Sequence, residues 1–179
     1  EHPTNEHPTN EHPTNEHPST EAPSQTEGIP IKDGLYTEWY ESGQKSVEVN
    51  FKDGKEEGLL TNWYENGQKS GEGNFKDGKA EGLLTNWYEN GQKSVEGNYK
   101  DGKAEGLFTH WYENGQKKYE INYNDGKKDG LQTYWYENGK KKEEGNFNWV
   151  SYRTNIKDGL WTHWYENGQK KYEINYNDG

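Results

Sequence analysis

A Trp-Tyr pair recurs along this chain at Trp39, Trp63, Trp87, Trp111, Trp135 and Trp164, spaced 24 residues apart four times and then 29. A fixed period of that length implies a series of near-identical supersecondary units, each resting on its neighbours. One unit, Leu59 to Gly82, reads LLTNWYENGQKSGEGNFKDGKAEG. Asn66-Gly67 at its centre predicts a two-residue type I′ hairpin turn with positive φ at both positions, and Asp77-Gly78 begins the loop to the next unit. Asn-Gly returns at Asn90, Asn114, Asn138 and Asn167, with Ser42-Gly43 in the first copy. Glycine at this density excludes helix. Six tandem hairpins make about twelve antiparallel strands. At ~4.8 Å per strand the expectation is an all-β fold, an elongated single-layer meander roughly 58 Å long.

Composition decides what can cover such a sheet. Only 26% of the chain is hydrophobic, and aromatic residues are 15% of the chain, more than half of that share. No aliphatic second layer is available, so rings lying on the ladder must exclude water, each burying up to about 150–250 Å². The formal charge is -11; residues 1–28 hold six Glu and no Lys or Arg, which leaves -5 for the repeats. An acidic chain without a basic patch is no candidate for nucleic acid or an anionic membrane surface. No apolar run is long enough to span a bilayer. Without cysteine there is neither a disulfide nor a thiolate metal site.

Two regions are expected. Residues 1–28 read as a disordered spacer, because proline every five residues in the EHPTN repeat blocks ladders and no apolar face exists. His2, His7, His12 and His17 in this tract lack a fold that would converge them on a metal, and no cofactor is expected elsewhere. Residues 29–179 form the repeat domain, entered through Ile29 to Leu35, where Pro30 suits a strand edge. A chain without Met that starts at Glu1 and stops inside a turn at Asn177-Asp178-Gly179 reads as a mature product or a piece cut from a longer array.

Pairing about Asn66-Gly67 puts Leu59, Thr61 and Trp63 on one face, opposite Asn74, Glu72 and Ser70. Leu60, Asn62 and Tyr64 lie on the other, opposite Gly73, Gly71 and Lys69. Comparing copies within the chain, the Trp face barely varies. The other face keeps its Tyr and Lys, which would alternate as a Tyr-Lys-Tyr cation-π ladder, but two columns vary freely. One is Tyr36, Leu60, Leu84, Phe108, Gln132 and Trp161; the other is Glu38, Asn62, Asn86, His110, Tyr134 and His163. Lesser variation occurs at Val47, Gly71, Val95, Tyr119, Glu143 and Tyr172 and at Val49, Gly73, Gly97, Ile121, Gly145 and Ile174. Repeat proteins hold stacking positions constant and vary those that touch partners, so the variable face is the candidate binding face. Drift on a tolerant surface would look the same. The 29-residue spacing comes from an insertion, NWVSYRTN, whose Trp149, Tyr152 and Arg153 have interface hot-spot chemistry.

The Trp-Tyr-Glu-Asn-Gly-Gln-Lys and Tyr/Phe-x-Asp-Gly turns resemble the MORN-variant repeat of bacterial proteins, a group that includes the YwqK-type antitoxins. The resemblance covers about Ile29 to Gly179. It implies a single-layer meander in a binding or scaffolding role, and in some members neutralisation of a partner protein. A weaker resemblance is to the choline-binding wall repeats of Gram-positive surface proteins. Catalysis finds no support: identical carboxylates on every rung supply no acid and base in separated environments, and the only two histidines outside the spacer, His110 and His163, lie repeats apart. The expected function is a non-enzymatic scaffold that binds protein. The alternative is a carbohydrate- or wall-binding or adhesive module, and open strand edges permit end-to-end self-association. An antitoxin-like role would be cytoplasmic; a spacer following a removed signal or anchor would place the repeats at the cell surface.

Overall fold

The computed structural model describes residues 32–150 and 154–177. They form one open antiparallel sheet of thirteen strands and no helix. The strands are β1 (Gly34–Trp39), β2 (Lys45–Lys52), β3 (Lys55–Glu56), β4 (Gly58–Trp63), β5 (Lys69–Lys76), β6 (Lys79–Trp87) and β7 (Lys93–Lys100). They continue as β8 (Lys103–Trp111), β9 (Lys117–Asn124), β10 (Lys127–Trp135), β11 (Lys141–Val150), β12 (Thr154–Trp164) and β13 (Lys170–Tyr176). Each strand pairs with its neighbours in sequence, except that the short β3 lies off the main path and pairs β2. The expected meander is present, and the spacer with its histidines, Pro30 and the last turn lie outside the described residues.

Turn chemistry differs from expectation. At Asn66-Gly67 only the glycine has positive φ, 82°. The turn closes through Gly67 N–H to Tyr64 C=O at 2.9 Å and Tyr64 N–H to Gln68 C=O at 2.8 Å. This is a longer loop ending in a glycine bulge, and it brings Lys69 rather than Ser70 opposite Trp63. Asn66 need not take a strained φ because its side chain closes the turn, accepting from Gln68 N–H at 2.9 Å. The I′ geometry sits instead at Asp-Gly: Asp53, Asp77, Asp101 and Asp125 all have φ near 50°, each followed by a positive-φ glycine. The bulge also undoes the expected Tyr-Lys-Tyr ladder. Lys45, Lys93, Lys117 and Lys141 reach across the outer face to the Trp of the next repeat, at 5.6–5.9 Å from the ring centroid. The Tyr rings take the following lysine where one exists, as Lys118 does over Tyr112.

Neighbouring repeats are clamped at both ends. Tyr64 donates its hydroxyl to Trp87 C=O at 2.6 Å, and Tyr40, Tyr88, Tyr112 and Tyr136 repeat the bond to Trp63, Trp111, Trp135 and Trp164. Asn66 Nδ2 donates to Glu89 C=O, with the same bond from Asn90, Asn114 and Asn138. At the Asp-Gly end the carboxylates of Glu57, Glu81 and Glu105 accept the backbone N–H of Asp77, Asp101 and Asp125. Each bond is worth about 1 kcal/mol net. These roles explain why WYENG hardly varies.

A second set of glycines bends each repeat. Gly82 has φ 79°, and between the pairs Gly73↔Leu84 and Phe75↔Ala80 the incoming strand carries two extra residues. Gly58, Gly106 and Gly130 occupy the same place with φ of 74–82°. The kink tilts the Asp-Gly arms toward the inner face, so rings on the arms close over it. The exposed leucines that follow each kink, Leu59, Leu83, Leu107, Leu131 and Leu160, line the outer side.

The first variable column is therefore interior. Leu60, Gln132 and Trp161 are 0% exposed, and Leu84 and Phe108 are 2%. Tyr99 and Tyr123 meet Phe108 edge-on at 5.3 and 5.0 Å, and Phe147 meets Trp161 at 5.1 Å. Size is matched at the seams that hold the largest rings. A Cβ on Gly97 would run into the Phe108 ring, one on Gly145 into Trp161, and one on Gly73 would lie 3.3 Å from Leu84, whereas the smaller Leu60 and Gln132 follow Val49 and Ile121. Column-one variation is thus compensated packing rather than partner contact. Gly97→Val alone should cost about 1–3 kcal/mol of stability in denaturant titration through overpacking, and Phe108→Leu in the same chain should recover most of it by recreating the Val49/Leu60 pair.

Candidate functional site

The second column, one step along each strand toward the Asn-Gly turns, is only partly covered. Glu38, Asn62, Asn86, His110, Tyr134 and His163 are all half-buried. They pair across the strands with Val47, Gly71, Val95, Tyr119, Glu143 and Tyr172, as in His110↔Tyr119 and Glu143↔His163. The pairing makes one inner groove running across the strands, with the packed first column as its buried flank.

The groove changes chemistry along its length. Over the second and third repeats the side chains are small and uncharged, leaving a cleft of about 210 Å³ lined by Asn62, Tyr64, Ser70, Gly71, Asn86, Trp87 and Ser94. Asn86 Oδ1 is buried there without a hydrogen-bond partner. Over the later repeats rings fill the same rows. His110 stacks on Tyr119 with centroids 4.1 Å apart, Tyr119 contacts Tyr134 at 5.9 Å, and His163 stacks on Tyr172 at 4.3 Å. Tyr134 donates its hydroxyl to Gln132 Oε1 at 3.2 Å.

Charge is concentrated at that end. Glu143 accepts from Lys157 Nζ at 2.6 Å and lies 3.7 Å from His163 Nε2, while Lys157 sits 3.9 Å from the Trp161 ring centroid. Burial pushes the His110 pKa down to about 4, helped by Lys118 and Lys128, so the ring is neutral at pH 7. Burial also lowers His163, with Glu143 opposing and Lys157 and Lys171 assisting. Burial, then Glu143, raises the Tyr134 hydroxyl, and burial lowers Lys128. This surface suits aromatic stacking and polar recognition. Among the described residues no group of three or more His, Asp or Glu converges as a metal site.

The expected binding face thus divides. Asn62, Asn86, His110, Tyr134 and His163 lie half-buried in one row, and Asn62 and Asn86 line its cleft. Leu60, Leu84, Phe108, Gln132 and Trp161 are a correction: the kinked arms bury them, and Tyr36 is half-buried against the first apolar cluster. Charge placed there would have no water to solvate it. Leu84→Glu or Phe108→Glu should accordingly abolish the cooperative folding transition rather than spare it, as judged by thermal melts. Of the insertion, Trp149 pairs Asn155 in an extended β11–β12 hairpin, and Tyr152 and Arg153 lie outside the described residues.

Lys128 and Lys157 were missed as groove residues. A third variable column, Glu56, Ala80, Ala104, Lys128 and Lys157, carried the signal in the sequence, but the kink glycine that turns this arm inward is what brings it to the groove.

The depressed histidine has a measurable consequence. Its folded pKa lies below the unfolded value, so between pH 6.5 and about 4 the unfolded chain binds the extra proton and stability falls as pH falls. We expect a loss on the order of 2–3 kcal/mol over that window, with His163 adding in the same direction. His110→Asn, the residue of the two preceding copies, should flatten the curve in urea titrations.

Compared with known proteins, the chain matches the family model described as the MORN repeat variant six times, at residues 32–53, 56–77, 80–101, 104–125, 128–148 and 157–178. No curated protein matches it.

Proposed function

We propose, from the premise that this chain belongs to the MORN-repeat-variant family, that it is a non-enzymatic scaffold whose inner groove recognises a protein segment. The observation that carries this reading is the division of the variable face. Where no close-packed glycine seam accounts for the variation, at Asn62, Asn86, His110, Tyr134 and His163, the side chains are partly exposed and chemically graded. Tyr and His presented on a rigid sheet give contact area at small entropic cost, the composition that recurs in protein-recognition surfaces. Neutralisation of a partner protein, as by an antitoxin, is the finer form of this proposal. It requires only that the bound segment belong to the partner's active region.

A second reading is favoured by one observation, the uncharged Asn-Ser cleft with its unpartnered Asn86 Oδ1, which suits the hydroxyls of a carbohydrate. The carbohydrate reading uses only the Asn62-Asn86 end of the groove, whereas the protein reading also needs its aromatic end.

Affinity capture separates them. The full chain should retain one stoichiometric protein from extract of the source organism, and Tyr134→Ala with His163→Asn should weaken that complex by roughly 30-fold or more, the loss expected of a hot spot. Retention unchanged by the double variant would overturn the groove assignment. Quenching of tryptophan fluorescence by millimolar neutral sugars, abolished by Asn86→Leu, would move the function to carbohydrate.

A further inference from the structure

The acidity of the whole chain conceals a local excess of lysine along the inner groove. On the turn side, the row that borders the groove reads Ser46, Ser70, Ser94, Lys118, Lys142 and Lys171. Ser70 and Ser94 line the cleft of the earlier copies. In the later copies Lys118 and Lys142 lie over the Tyr112 and Tyr136 rings, and Lys171 over Tyr165 and Tyr172. On the arm side the row changes from Glu56 through Ala80 and Ala104 to Lys128 and Lys157. Both flanks therefore become cationic over the same copies, where stacked rings form the floor. Each histidine feels one lysine from either side, His110 from Lys118 and Lys128, His163 from Lys157 and Lys171.

These ammonium groups differ from those of the outer face. There the first lysine of each return strand has a carboxylate, as Lys93 has Glu96 and Lys117 has Glu120. In the groove Glu143 holds Lys157 at 2.6 Å, but Lys118, Lys128, Lys142 and Lys171 have no carboxylate partner among the described residues. Lys128 is half-buried, and burial lowers its pKa. A half-covered ammonium without a counter-charge carries a desolvation cost that an arriving carboxylate offsets.

Spacing indicates the shape of what arrives. Lys118, Lys142 and Lys171 stand on β9, β11 and β13, successive pairs being two strand spacings or about 9.6 Å apart. Three residues of a polyproline-type extended segment span about 9.3 Å. A chain laid across the strands with a carboxylate at every third residue meets these lysines in turn. A groove with a cationic row on each side fits such a segment better than a flat anionic bilayer, and the net charge of -5 on the repeats disfavours a polyanion such as nucleic acid.

We propose that the aromatic end of the inner groove takes an acidic, extended segment of a partner protein, its carboxylates meeting Lys118, Lys142 and Lys171 on one side and Lys128 on the other, above the Tyr119, Tyr134 and Tyr172 rings. This assignment rests on the protein-binding reading of the groove and supplies the partner's chemistry.

Fluorescence anisotropy of the full chain tests it, with a labelled peptide of about twelve residues bearing Glu at every third position and with its Gln counterpart. The Glu peptide should bind about tenfold or more tighter than the Gln peptide, and added salt should weaken it. Lys118→Ser with Lys128→Ala installs the residue types of the preceding copy, Ser94 and Ala104, so the sheet should fold while affinity falls about tenfold or more. Lys52→Ser with Lys76→Ala removes the same charge from exposed positions outside this end of the groove and should change nothing. The proposal is overturned by a Glu peptide that fails to bind at about 1 mM or binds no better than the Gln peptide. A groove variant that loses no affinity, or a control variant that loses as much, overturns it too. So does tighter binding of oligo(dT) or of phosphatidylserine vesicles that the groove substitutions abolish. A partner captured from extract that is lost with Tyr134→Ala and His163→Asn, yet indifferent to the lysine substitutions, would preserve the groove reading and sink the acidic segment alone.

Discussion

The hydrogen bond from each repeat's tyrosine hydroxyl to the next repeat's tryptophan carbonyl is the contact on which the architecture depends. Backbone ladders hold adjacent strands together, but they do not specify that turns two strands apart must align. The tyrosine does, because its hydroxyl reaches 23 residues along the chain, or 28 across the insertion, to one particular carbonyl. With the asparagine bond beside it and the carboxylate latches at the Asp-Gly end, the register of each repeat is imposed at both ends by its predecessor. The Thr-Glu and Lys-Glu pairs of the outer face, such as Thr85 with Glu96 and Lys93 with Glu96, then follow as a repeating consequence of that register.

Within this frame a low hydrophobic content suffices because the sheet covers itself. The positive-φ glycine before each outer leucine lets the incoming strand kink, and the ring on the opposing arm closes over the inner column. A single layer thereby buries Leu60 and Trp161 completely. The interior is nearly one-dimensional. Each inner side chain is judged against the two residues flanking it in the ladder, which is why Phe108 follows Gly97 and Trp161 follows Gly145. Such a core can change size locally without disturbing distant repeats. In the next row over, neutral amides give way along the groove to stacked rings and a Glu143-Lys157-His163 cluster.

Much of this was legible from the linear pattern, and the exceptions are instructive. Period, strand count and the pairs Leu60↔Gly73 and Thr61↔Glu72 follow from spacing and alternation, since antiparallel neighbours with a fixed turn admit one register. Asn-Gly signalled a hairpin correctly but not its geometry, because the asparagine side chain satisfies the turn without left-handed backbone; the single added residue moved Lys45, Lys93, Lys117 and Lys141 from tyrosine to tryptophan. The two variable inner columns were half legible. Variation between copies marked both, but only a packed neighbour such as Gly97 beneath Phe108 shows that the first column varies by compensation.

What the sequence determined by itself, then, is a tandem β-meander of six units with two variable inner columns, because turn chemistry, strand alternation and period are local properties repeated in series. Which column is core and which is only partly covered was decided only in three dimensions. That outcome depends on the kink at the positive-φ glycines, which brings arm residues distant from the column in register over one row and leaves the next row partly exposed, and no pairwise spacing along the chain encodes the direction of that bend.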